Sequence, residues 1–263
     1  MADEHGDTLS ADAVLSELRS SHARLSAAVG ALGQAELKER SYCTDWTIAE
    51  VLSHLGSGAE IFQMFFEAGL AGTEPPGGDA FAPVWQAWAA KPPAERAADC
   101  LTANETFLRR LEAVEAGQRA AFSMSLFGMD VDFAVLARMR LSEHAVHTWD
   151  VAVALDPSAR VAAGAVGLLL GMLPQFVARI GRPAAEAKEV AVVTSAPERR
   201  FLLSTGTVSL TDGGAPDSDV RLELPAEAFL RLVYGRLDDE HGGDEVRASG
   251  VSVEELRAVF PGI

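Results

Sequence analysis

Glu143 and His147 stand four residues apart in a stretch whose apolar residues recur at helical spacing. At 100° per residue they lie roughly 40° apart on one helical face. Leu136, Met139, Asp150 and Ala154 fall on the same stripe. The polar pair therefore shares a face with apolar residues, which is where helical bundles build internal metal sites. His54 belongs to another helical stretch, with Val51, Gly58 and Ile61 at helical spacing, on the edge of an apolar arc containing Ile48, Leu55, Phe62 and Phe66. Two imidazoles and a carboxylate make three ligands and leave coordination positions open, the donor pattern of a catalytic zinc site. Asp150, one turn beyond His147, can accept the second ring proton of a ligating imidazole. Spacing alone leaves plainer readings open: a solvated Glu–His pair, and a packing histidine at position 54. His144 points roughly 100° away from Glu143 and reads as a bystander. His5, His22 and His241 carry no supporting pattern.

Cys43 stands four residues before Thr47, near the start of a helix whose dipole lowers a thiol pKa. A Cys–His hydrolase would pair it with His54, although that histidine serves better as a ligand. Cys100, among Ala97, Leu101 and Asn104, reads as helix packing. Phe62, Phe65 and Phe66 read as core.

These residues require helices to carry them, and the first half of the chain supplies four. Residues 11–32 repeat Val14, Leu15, Leu18, Leu25 and Val29, with Ser10 as N-cap. Thr47-Ile48-Ala49-Glu50 is a capping box, opening a helix expected to reach about residue 69, before the Pro/Gly loop 72–79. A third helix starts near Pro92-Pro93, and a fourth spans residues 132–155, closing at Asp156-Pro157. Four such helices predict an up-down bundle with some long connections. The second half differs. A helix over 161–180 is followed by short apolar runs at 189–194, 200–204, 207–211 and 220–224, separated by turn residues, which predict an antiparallel meander. Helices opening at Pro225 and Ser252 and a short strand at 246–249 complete an α+β domain. The expected division is 1–157 for the bundle and 158–263 for the α+β domain.

The composition, 48% apolar and 23% charged over 263 residues, suits two globular cores. A net charge of −16 argues against a nucleic-acid surface and against an anionic membrane. Two cysteines cannot build a disulfide framework, and the opening residues lack the basic and apolar regions of a signal peptide, so a cytoplasmic protein is expected.

Four strings, Asp45-Trp46-Thr47, Val51-Leu52-Ser53-His54-Leu55, Met139-Arg140-Leu141-Ser142-Glu143 and His147-Thr148-Trp149-Asp150, resemble the mycothiol-dependent maleylpyruvate isomerase family. The resemblance spans nearly the full chain. It implies a DinB-like four-helix bundle joined to a smaller sterol-carrier-like α+β domain, and zinc held by His54, Glu143 and His147. The family's Gly-Arg pair is matched by Gly235-Arg236, which implies that Arg236 takes part in catalysis by clamping a substrate carboxylate; a solvated helix-end arginine is the other reading. Mycothiol, as cosubstrate, would supply the nucleophile, its sulfur held near the thiolate form by the metal. In the isomerase reaction that thiolate adds to a cis double bond, the new single bond rotates, and elimination releases the trans product. Other members transfer the thiol instead. The resemblance thus implies a zinc- and mycothiol-dependent isomerase or thiol S-transferase acting on a small anionic or electrophilic substrate. A non-catalytic ligand-binding or regulatory protein on the same fold is the competing reading.

Overall fold

The computed structural model describes residues 10–43, 45–126, 128–213, 218–242 and 245–262. The chain divides into two compact units, Met1–Leu155 and Asp156–Ile263.

The first unit runs α1 (Ala11–Gly30), α2 (Ile48–Ala71), α3 (Ala82–Ala89), α4 (Pro93–Glu112), α5 (Ala116–Ala121), β1 (Ser123–Leu126), β2 (Met129–Asp132) and α6 (Phe133–Leu155). The long helices form a four-helix bundle in which α2 packs on α4 and α6, and α1 packs on α6 and α4. The capping box that opens α2 is present: the Thr47 N–H donates to Glu50 Oε2 at 2.7 Å, and the Glu50 N–H to Thr47 Oγ1 at 3.3 Å. Gly72 ends α2 in the left-handed region at φ 62°, which a glycine adopts without strain. Leu25, Ile48, Val51, Leu52, Leu55 and Val151 form a continuous core cluster. Each such side chain, fully buried, stabilises the fold by about 1.5–3 kcal/mol. Position 56 must be glycine for a different reason: a Cβ there would sit 2.1 Å from the Trp88 ring, which fills the space beside α2. α3, α5 and the β1–β2 hairpin were not legible in the sequence, since four to eight residues are too few to establish a period.

α6 is buried around most of its circumference, and its buried set includes Arg140, Ser142, His144, His147, Thr148 and Asp150. A helix that brings so many polar groups into a core must satisfy them; α1, α2 and α4 supply partners for His144 and Arg140, while Asp150 bonds His147 on the same helix and Cys43 before α2.

The second unit runs α7 (Ala163–Leu170), α8 (Leu173–Ile180), β3 (Glu189–Ser195), β4 (Arg199–Ser204), β5 (Ser209–Asp212), β6 (Arg221–Pro225), α9 (Ala226–Val233), β7 (Arg247–Ser249) and α10 (Val253–Val259). Two expectations are corrected here. The helix predicted over residues 161–180 is two helices bent by 83°. Gly171 closes α7, and Pro174, at the start of α8, lacks the N–H that a continuous helix would need. The sheet, in order β5-β4-β3-β6-β7, is mixed and not an antiparallel meander. β4 occupies one edge of β3, while β6 pairs with the other edge in parallel, from Ala191 opposite Arg221 to Ser195 opposite Pro225. β3 buries Val190, Ala191 and Val192, so both its edges must find hydrogen-bond partners. α9 packs on this sheet, with the Phe229 and Phe201 rings 5.5 Å apart. No single helix among the described residues is long and apolar enough to cross a membrane.

Candidate metal centre

The packing of α2 against α6 brings His54, Glu143 and His147 together, with one donor atom from each inside a 4.8 Å sphere of mutual separation. His54 Nε2 donates to Glu143 Oε2 at 3.0 Å, and His147 Nε2 lies 3.8 Å from the same oxygen. The two imidazole rings meet edge to face with centroids 4.6 Å apart. His54 and Glu143 keep 36% and 35% of their side chains exposed while His147 keeps 11%, so the cluster is walled on the His147 side and open on the other.

His147 is oriented from behind. Its Nδ1–H donates at 2.7 Å to Oδ2 of Asp150, a carboxylate with no exposed surface. That bond selects the tautomer with the Nε2 lone pair turned toward Glu143 and His54. Burial pushes the His147 pKa down, opposed by its bond to Asp150, and the balance stays below the usual imidazole value. The Glu143 carboxyl is pushed up by burial, but the His54 hydrogen bond and the nearby His147, His54 and Arg140 outweigh this and bring it to about 2. A neutral imidazole and an ionised carboxylate are the protonation states that metal ligation requires. The residues fit a divalent cation in donor type, number and access, with the proton that His54 Nε2 shares with Glu143 the one a cation would displace.

Three neighbours complete the surroundings. Trp46, just before the α2 cap, sets its ring 5.2 Å from that of His54 and 6.3 Å from that of His147. Sequence reasoning quoted this residue without assigning it a place, because the fold of the turn before α2 is what aims it. Cys43 Sγ donates to Asp150 Oδ2 at 3.1 Å. Cys43, His147 and Asp150 also lie close enough to hold an ion, yet there the His147 and Asp150 atoms already bond each other, so the set serves as a support behind the first cluster. Arg140, one turn before Glu143, is 2% exposed and donates to the Leu55 carbonyl at 2.8 Å and to Asn104 Oδ1 at 2.5 Å. Burial pushes its pKa down to about 10, which leaves a cation beneath the cluster at neutral pH.

Arg236 belongs to the second unit and is not a solvated helix-end residue: it is 5% exposed, and its Nη1 donates to the Tyr234 carbonyl at 2.6 Å. Gly235 turns the chain after α9 at φ 72°, and a Cβ there would meet Gly262 at 2.3 Å. The turn is held by Arg231, whose Nη1 donates to the carbonyls of Arg236 and His241 at 3.1 and 2.6 Å. The same guanidinium grips Glu227 through Nε and Nη2 at 2.8 and 3.1 Å. Sequence reasoning missed Arg231; its four-residue spacing from Glu227 was the available signal.

A DinB-like four-helix bundle with a His–Glu–His cluster on facing helices, followed by a small α+β unit with a mixed sheet, defines the class of protein. Residues 18–152 match the family model for the mycothiol maleylpyruvate isomerase N-terminal domain, and the chain belongs to that family. Among solved structures it is similar to the crystal structure of the mycothiol-dependent maleylpyruvate isomerase and to that of a histidine-to-alanine mutant of the enzyme. Each is 14% identical, with 94% of this chain and 96% of that chain covered at a TM-score of 0.69, a likeness that shows the fold. No curated protein matches in sequence.

Proposed function

We propose that this chain is a zinc-dependent enzyme that uses mycothiol as cosubstrate, acting as an isomerase or thiol S-transferase on a small anionic or electrophilic substrate. The observation that carries the reading is the convergence of His54 Nε2, Glu143 Oε2 and His147 Nε2 on one partly open point. His54, Glu143 and His147 would hold the metal, which when bound supplies a Lewis acid that keeps a coordinated thiol in its thiolate form. Asp150 holds the His147 ring proton on Nδ1 and so keeps Nε2 free to ligate. Trp46 and the buried face of α6 exclude water from one side of the cluster, while the His54–Glu143 side admits ligands. Family membership supports mycothiol as the thiol, and the related enzyme's name supports isomerisation of a substrate like maleylpyruvate. Arg236, proposed on the Gly235-Arg236 resemblance, would bind a substrate carboxylate through its guanidinium.

Metal analysis of the purified protein should find about one zinc per chain, given a three-ligand site with open positions. His54→Ala and His147→Ala should each remove most of it. Zinc-loaded protein incubated with mycothiol and a panel of electrophiles, maleylpyruvate included, should yield isomerised or thiol-conjugated products by mass spectrometry. Full zinc occupancy in the double variant would refute the ligand assignment. Loaded protein inert toward every electrophile would favour the non-catalytic reading.

A further inference from the structure

His22 on α1 and His144 on α6 face one another inside the bundle, ring centroids 6.0 Å apart and planes at 70°. Both are at least nine-tenths buried. They line a cavity, together with Leu18, Asn104, Phe107 and Arg140, that leaves about 10 Å³ for the centre of a water-sized sphere. This is close to the space that a single buried water occupies.

The polar neighbours of the two rings bear on what each offers to that space. His144 Nδ1 lies 2.9 Å from Ser21 Oγ and 3.3 Å from Thr148 Oγ1, two hydroxyls able to donate to it. In the arrangement in which both hydroxyls donate to Nδ1, the proton of a neutral imidazole sits on Nε2. His22 Nε2 faces the Glu105 carboxylate at 3.4 Å, an ion-pair distance, and the negative charge there favours the His22 proton on Nε2, which makes its Nδ1 an acceptor. His144 Nε2 and His22 Nδ1 are buried and have no hydrogen-bond partner. In that arrangement one is a donor and the other an acceptor, a complementary pair on the wall of one cavity. Such groups rarely stay unpaired in a folded protein, because each forfeits its hydration without recompense.

We propose that this cavity is a binding site for one ordered water molecule, which accepts the His144 Nε2–H and donates to His22 Nδ1. The Arg140 guanidinium on the same wall brings further N–H groups, giving the water the two to four polar partners that buried waters have. A metal ion is disfavoured there, since Arg140 sets a fixed positive charge beside the two nitrogens and, among the described residues, no carboxylate lines the cavity. The water ties α1 to α6 at the residue next to Glu143, so it stiffens the turn that carries Glu143 and His147.

The test uses the full chain. High-resolution diffraction should show a single peak within hydrogen-bond distance of His144 Nε2 and His22 Nδ1. Long-range nitrogen–proton correlation spectra should show both rings protonated at Nε2, with a cross-peak between the His144 ring proton and a long-lived water. His22→Met, which fills the space and removes the acceptor, should abolish that peak and cross-peak and leave zinc content unchanged. An empty cavity, direct contact between the rings, a His144 proton on Nδ1, or a cross-peak that survives in His22→Met would each overturn the proposal.

Discussion

An imidazole ligates a metal only through a nitrogen that carries no proton, so the group on the far side of the ring matters as much as the ligand itself. Asp150 is that group for His147, at 2.7 Å and without exposed surface. Asp150→Asn removes the anionic acceptor and can present an N–H instead, which opposes the ligating tautomer. Zinc affinity measured by chelator competition should fall by about 10–100-fold. Unchanged affinity would remove Asp150 from the site. Cys43 touches the same carboxylate, but serine keeps its donor to Asp150. Cys43→Ser should therefore leave turnover nearly unchanged. A loss of about 10³-fold without unfolding would move the nucleophile onto the protein. Cys100 is no candidate, since burial pushes its thiol up to about 12.

At the scale of elements, the turn after α9 depends on one buried side chain. Arg231 joins Glu227 on its own helix to the backbone at Arg236 and His241, four hydrogen bonds from a residue 2% exposed. Lysine keeps the charge but has no fork, so Arg231→Lys loses the simultaneous grip. If Arg236 holds a substrate carboxylate, Arg236→Lys should raise KM and lower kcat/KM while zinc content stays level. Arg231→Lys should shift kcat/KM in the same direction, with some loss in Tm, because it frees the backbone on which Arg236 stands. Normal kinetics for Arg236→Lys would remove this arginine from the reaction. Normal kinetics for Arg231→Lys alone would show that the turn holds without it.

Across the whole molecule, the buried histidines couple stability to pH. His22, His144 and His147 all have pKa values lowered chiefly by burial. The unfolded chain, with ordinary imidazoles, binds more protons than the folded one between the lowered values and about pH 6.5. Stability therefore rises with pH through that window and is lost on acidification, by at most about 1.4 kcal/mol per pH unit for each histidine. Urea unfolding of metal-free protein should show a lower midpoint at pH 5.5 than at pH 7.5. Equal midpoints would mean that these rings are protonated in the folded state.

The sequence by itself determined what depends on local periodicity and local chemistry. The i, i+4 spacing placed Glu143 and His147 on one face, the Thr47–Glu50 box started α2, and apolar stripes defined the four long helices. Periodicity states which face of an element is apolar, but not which element it meets. Only tertiary packing decided that α2 lies against α6, so that His54 reaches Glu143 across 89 residues of sequence. Packing also turned Trp46 over both imidazoles, converted the bystander His144 into a buried partner of Ser21, and sank Arg236 and Arg231 beneath the surface. β6 likewise runs parallel to β3 because pairing at a sheet edge is chosen by which edge needs hydrogen bonds, a requirement that no short stretch of residues contains.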